Sequence, residues 1–145
     1  MATPYEELYE RALFKVKDLK LGSMDESERR YVLKRYLDSA VADFNAKCEK
    51  DLDDRDELAE EFALDLTNDE KEILALGMAY YWLSAQVMDR SLLKNKISTK
   101  DYQYFSPANL MREINEMRTD VRKEYRHRIT EYTYDHGDLS LGGKS

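Results

Sequence analysis

Residues 66–87 read L-T-N-D-E-K-E-I-L-A-L-G-M-A-Y-Y-W-L-S-A-Q-V, and this stretch decides the fold. Thr67 with Glu70 three residues later forms a capping box, and Asn68 and Asp69 add favourable first-turn chemistry. From Ile73 to Met88 the apolar residues run nearly all the way round the helix: Ile73, Leu74, Leu76, Met78, Tyr80, Tyr81, Trp82, Leu83, Val87 and Met88. A helix apolar on every face is either the centre of a bundle or is sandwiched between its own domain and another subunit. Gly77 inside it costs about 1 kcal/mol relative to alanine, which close approach by another helix would justify.

Working outward, Ser106 as cap and Pro107 at a first helical position announce a second long helix. Leu110, Ile114, Met117, Val121 and Tyr125 recur along it at helical spacing, opposite Arg118, Arg122 and Arg126. Beyond Ile129, the run Thr130, Tyr132, Thr133 and Tyr134 favours extended chain, and Gly137, Gly142 and Gly143 end the ordered signal. Towards the N-terminus, Thr3, Pro4 and Glu6 form another capping box, followed by Leu8, Ala12, Val16 and Leu19 before Gly22. A further amphipathic helix starts near Ser23 or Asp25 and carries Val32, Tyr36, Leu37, Ala40, Val41 and Phe44 on one side. Between them, residues 49–65 hold many acids against Lys50 and Arg55, with Phe62, Leu64 and Leu66 alternating as in a short strand. The expected fold is all-α. It is a small bundle of about four helices over residues 1–129, with a long acidic loop reaching toward a neighbouring subunit and an extended C-terminal arm over 130–145.

One chain of 145 residues fits a single domain. Charged residues make up 37%, so most of the surface is solvated charge, and only 5 Gly and 2 Pro favour long helices over many short strands. The net charge of −7 argues against a general nucleic-acid coat, which depends on neutralising phosphates. Cys48 is the sole cysteine, so no intrachain disulfide can form and a reducing compartment is expected. The N-terminal P-Y-E-E-L-Y-E has no apolar signal core, and no run approaches the roughly 20 apolar residues of a membrane span. A soluble intracellular protein without membrane contact is expected.

Catalysis needs a converging set of acids, bases, nucleophiles or metal ligands. The two histidines, His127 and His136, lie on a charged helix end and in the tail. The acidic D-L-D-D-R-D starting at Asp51 resembles a calcium loop but has Asp56 where the turn needs glycine and Phe62 where the bidentate glutamate belongs. The terminal G-G-K-S has Asp138 where a phosphate loop needs its first glycine. The residues therefore point away from an enzyme, with no cofactor and no metal. Eleven tyrosines are generous, and those past the last helix turn suit a protein interface better than a core.

The order L-T-N-D-E-K-E-I-L-A-L-G-M-A-Y-Y-W-L, K-D-Y-Q-Y-F-S-P-A-N, M-R-E-I-N-E-M-R and Y-T-Y resembles the head–tail connector adaptor (head completion) proteins of tailed bacteriophages, over about Asp51 to Tyr134. The resemblance implies a non-enzymatic subunit of the virion neck, made in the host bacterial cytoplasm. It would bind the portal protein on one side and a stopper or tail-completion protein on the other. Copies would close into a homo-oligomeric ring of roughly twelve, through whose lumen DNA passes without sequence-specific contact. By the same likeness the docking arm for the portal comprises Thr130, Tyr132, Thr133, Tyr134, Asp135, His136, Asp138, Leu139 and Leu141. Phe62, Leu64, Tyr80, Tyr81, Tyr102, Tyr104 and Phe105 are candidates for the subunit–subunit interface. The competing expectations are another neck or tail-completion protein, or a small helical nucleic-acid-binding regulator using Arg118, Arg122, Arg126, Lys94, Lys96 and Lys100.

Overall fold

The computed structural model describes residues 2–16, 25–94 and 107–136. The chain is a small helical protein. Among the described residues, α1 (Tyr5–Val16), α2 (Glu26–Phe44), α3 (Asn68–Lys94) and α4 (Pro107–His136) are joined by a minimal antiparallel sheet of β1 (Thr3–Pro4), β2 (Arg55–Asp56) and β3 (Glu61–Phe62). No helix among those residues is long and apolar enough to cross a membrane.

α3 is the axis of the bundle, and it is packed by α1, α2 and α4. Most of its apolar residues meet three helices of their own subunit, so burial within one bundle explains most of the pattern, while Met88 stays 66% exposed. Ile73, Leu74, Leu76, Met78, Ala79, Trp82 and Leu83 are all in the core. The capping box forms as read: the Glu70 N–H donates to Thr67 Oγ1 at 3.2 Å, and the Thr67 N–H donates to Glu70 Oε1 at 2.8 Å. Two orphan first-turn donors are satisfied reciprocally, which fixes where the helix starts.

α1 buries Tyr5, Leu8, Tyr9, Ala12 and Val16, a helical stripe turned to the core. Thr3 does something other than cap it. It lies in β1, opposite Phe62, and its hydroxyl donates to the Leu64 carbonyl at 2.8 Å while accepting from the Leu66 N–H at 2.9 Å. Pairing with a distant strand has outcompeted the local cap. The Leu19 and Gly22 expected to continue and stop this helix lie outside the described residues. α2 begins at Asp25, whose carboxylate accepts from the Ser27 N–H at 2.8 Å, as an N-cap should.

The acidic segment does not reach away from its subunit. It folds back as the β2–β3 hairpin, with Phe62 fully buried against the edge of the Tyr5 ring, centroids 5.1 Å apart. Glu57 of this segment and Asp38 of α2 are held by cations of the same chain. Lys34 bridges Asp38 and Glu57 at 3.0 and 2.9 Å, Arg55 reaches Asp38 at 2.9 Å, and the Tyr5 hydroxyl donates to Glu57. Most of its acids stay exposed, and at the tip Leu58 is 99% accessible and Glu60 takes a left-handed φ of 56°.

α4 runs to His136, so residues 130–136 are helix and not an extended arm. The hydroxyls of Thr130 and Thr133 donate back to the carbonyls of Arg126 and Ile129 at 3.0 and 2.9 Å, which lets threonine sit inside a helix without an unsatisfied group. The physical reason for the extra turns is burial of one aromatic ring, described next.

Candidate functional site

Two polar clusters, one buried and one reaching the surface at Asp43, organise the surfaces that could carry function. The first surrounds Glu70, whose side chain is fully buried. Its carboxylate accepts from the Tyr132 hydroxyl at 2.7 Å and from Lys50 Nζ at 2.7 Å, besides closing the capping box. The Tyr132 hydroxyl in turn accepts from the Glu49 N–H at 2.9 Å, and the Cys48 thiol lies 3.6 Å from it. The Tyr132 ring meets Phe44 edge-on, centroids 5.0 Å apart, and stacks on His136 at 4.0 Å. One carboxylate thereby joins the start of α3, the corner after α2 and the last two turns of α4.

Burial pushes the Glu70 carboxyl up, but hydrogen bonds from Lys50, Tyr132 and the Thr67 N–H outweigh it and hold the group below the usual glutamate range. Glu72 behaves alike: burial opposes ionisation, and Lys15 more than offsets it. The Tyr132 hydroxyl is pushed far up, first by burial and then by its bond to Glu70. A carboxylate with a depressed folded value contributes stability above its ordinary value, about 4.3, and loses it as the pH falls through the lower folded value. Thermal melting should therefore hold steady from neutral pH to about 5 and fall steeply below the ordinary glutamate value. Glu70→Gln should flatten that acid limb. A wild-type melting temperature unchanged down to about pH 3 would contradict this assignment.

The second cluster explains Gly77. A Cβ there would lie 2.7 Å from Ala40 Cβ on α2 and 2.7 Å from the Tyr125 hydroxyl on α4. Three helices converge on this one position. Because Gly77 has no side chain, Tyr125 crosses α3 and donates to Asp43 Oδ2 at 3.0 Å, where the Tyr81 hydroxyl also donates at 2.5 Å. Burial and the neighbouring Asp43 push both tyrosine hydroxyls up, so each stays a donor.

The docking residues expected from the sequence separate on this scaffold. Tyr132 is completely buried in its own subunit, so it cannot anchor another protein while the bundle is closed. Thr133 is half-buried, Thr130 and Asp135 are exposed, and His136 stacks on Tyr132 at the end of α4. Tyr134 is 72% exposed and is the aromatic of this set that faces solvent. Asp138, Leu139 and Leu141 lie outside the described residues. Of the interface candidates, Phe62 belongs to the core, which corrects its assignment. Leu64, Tyr80 and Tyr81 are half-buried, with Tyr80 stacked edge-on against Tyr81 and lying under the Arg118 guanidinium at 5.6 Å. Tyr102, Tyr104 and Phe105, and the cations Lys96 and Lys100, lie outside the described residues.

Asp43 and Lys50 carry these clusters and were not singled out by the sequence. Neither has a local signature: Lys50 is 20 residues from Glu70 and Asp43 is 82 from Tyr125. Among the described residues no group of three or more His, Cys, Asp and Glu side chains is arranged to hold a metal ion. Comparison with known proteins gives no matching family model, no matching curated protein and no matching solved structure.

Proposed function

We propose that this chain is a structural connector: a subunit of an adaptor ring in the neck of a tailed bacteriophage, between portal and stopper or tail. The reading is supported first by the likeness of residues 51–134 to head completion proteins. The observation that carries it is the shape of α4, a 30-residue helix that packs along α3 and leaves a long charged outer surface free for assembly. A helix polar along its outer side suits bridging between copies better than enclosing a substrate.

Apart from the exposed Tyr134, residues 130–136 are not part of the docking arm in this reading. They close the bundle, so deleting 130–145 would remove Tyr132 and test folding instead of binding. The portal contact is assigned to Tyr134 together with Asp138, Leu139 and Leu141. Mixing the full chain with isolated portal rings should give a complex by sedimentation. The triple change Tyr134→Ala, Leu139→Asp, Leu141→Asp should abolish it while helical content by circular dichroism stays at the wild-type level. Wild-type protein that fails to bind portal, or a triple variant that binds as well as wild type, would remove this assignment.

A further inference from the structure

The outer surface of α4 is sorted by charge. The helical period places the exposed Arg112, Arg122, Lys123 and Arg126 together with the neutral Asn115, Thr119 and Thr130 along one edge. The exposed Glu113, Glu116, Asp120, Glu124 and Glu131 occupy the other. Within the acidic edge, Arg128 contacts Glu124 at 3.3 Å and His127 contacts Glu131 at 2.7 Å, which leaves its N-terminal half purely acidic among the described residues. Arg118 continues the basic edge inward, donating to Ser84 at 2.9 Å.

This sorting works against the isolated helix. Arg118, Arg122 and Arg126 stand four apart, as do Glu116, Asp120 and Glu124, and like charges at that spacing repel. The ordinary arrangement for a solvated helix alternates signs at four-residue spacing. Two complementary edges on one surface make sense when each edge meets the other edge of a second helix.

From this we infer that α4 is a two-sided interface between copies of this chain, the basic edge of one α4 lying against the acidic edge of the next. The pattern also fixes direction. With the helices parallel, basic meets acidic; turning one copy end over end sets arginine against arginine and carboxylate against carboxylate. A parallel head-to-tail contact repeats from copy to copy, the kind of contact from which a ring is built when the rotation closes. This inference refines the self-association in the connector reading and is tested on the chain alone, so loss of portal binding does not bear on it. A duplex nucleic acid is the poorer occupant, because the acidic edge on the same helix would face its phosphates.

The test uses full-length protein and two charge-reversed forms, with helical content checked for each. Arg122→Glu with Arg126→Glu puts carboxylates into the basic edge; Glu116→Lys with Asp120→Lys puts cations into the acidic edge. Wild type should self-associate by sedimentation velocity at about 50 mM salt and dissociate at about 500 mM. Each reversed form alone should associate about tenfold more weakly or worse. An equimolar mixture of the two should recover assemblies containing both. Three results would overturn the proposal: a wild type that stays monomeric at low salt, reversed forms that assemble as wild type does, or a mixture that fails to co-assemble. So would a basic-edge reversal that abolishes a salt-sensitive shift of duplex DNA while leaving the oligomeric state unchanged.

Discussion

Replacing Tyr132 with alanine should destabilise the protein by about 3–5 kcal/mol, the range for emptying a buried aromatic site. The ring fills space against Phe44, and its hydroxyl satisfies both the Glu49 N–H and the Glu70 carboxylate. Alanine leaves a cavity and removes both bonds at once. Tyr132→Phe keeps the ring and loses only the hydroxyl, so about 1–3 kcal/mol is expected from the orphaned polar groups. Urea titration of the two variants beside wild type checks the ordering. A surface tyrosine in a docking arm would instead change stability by no more than about 0.5 kcal/mol. An alanine variant inside that limit would restore the arm and dismantle the closed bundle.

The second large effect is expected at Gly77. Valine there should cost about 1–3 kcal/mol through overpacking, before its poorer fit to a helix is added. The opposing influence is real: alanine gains about 1 kcal/mol over glycine in helix propensity. At Gly77 that gain is outweighed, because the new Cβ would sit 2.7 Å from Ala40 Cβ, an atom fixed to its own backbone. Gly77→Ala should therefore be destabilising despite its propensity. Combining it with Ala40→Gly should recover part of the loss, since the two changes share one contact and are not additive. Equilibrium unfolding of the single and double variants measures that coupling. A Gly77→Ala protein more stable than wild type would mean that the three helices do not meet at this point.

Much of the helical framework was legible because its signals are local. Thr67 and Glu70 fixed the start of α3, Asp25 that of α2 and Pro107 that of α4, each through first-turn chemistry confined to a few residues. The apolar circuit of α3 forecast a central helix, and Gly77 forecast a close crossing. The errors came where distant contacts beat local preference. Thr130, Tyr132, Thr133 and Tyr134 have strand-like propensities, yet Tyr132 falls one heptad after Tyr125 on the same helix face. The pocket that holds it is built by Phe44, Glu49 and Glu70, none of them near in sequence. Thr3 looked like a cap and became a strand residue because Phe62 and Leu64 offered it partners 59 to 61 positions away. The acidic run looked like a free loop, since nothing in its own composition announces Lys34, on α2, as a counter-ion.

The fully buried Glu70 carboxylate has a consequence for how the molecule opens. Its partners come from positions 20 and 62 residues apart in the chain, so no one of these segments can detach while the others stay ordered. Fraying from the end of α4 should stop at Tyr132, and motion beyond that point should be a single cooperative event that loosens the α2 corner and the head of α3 together.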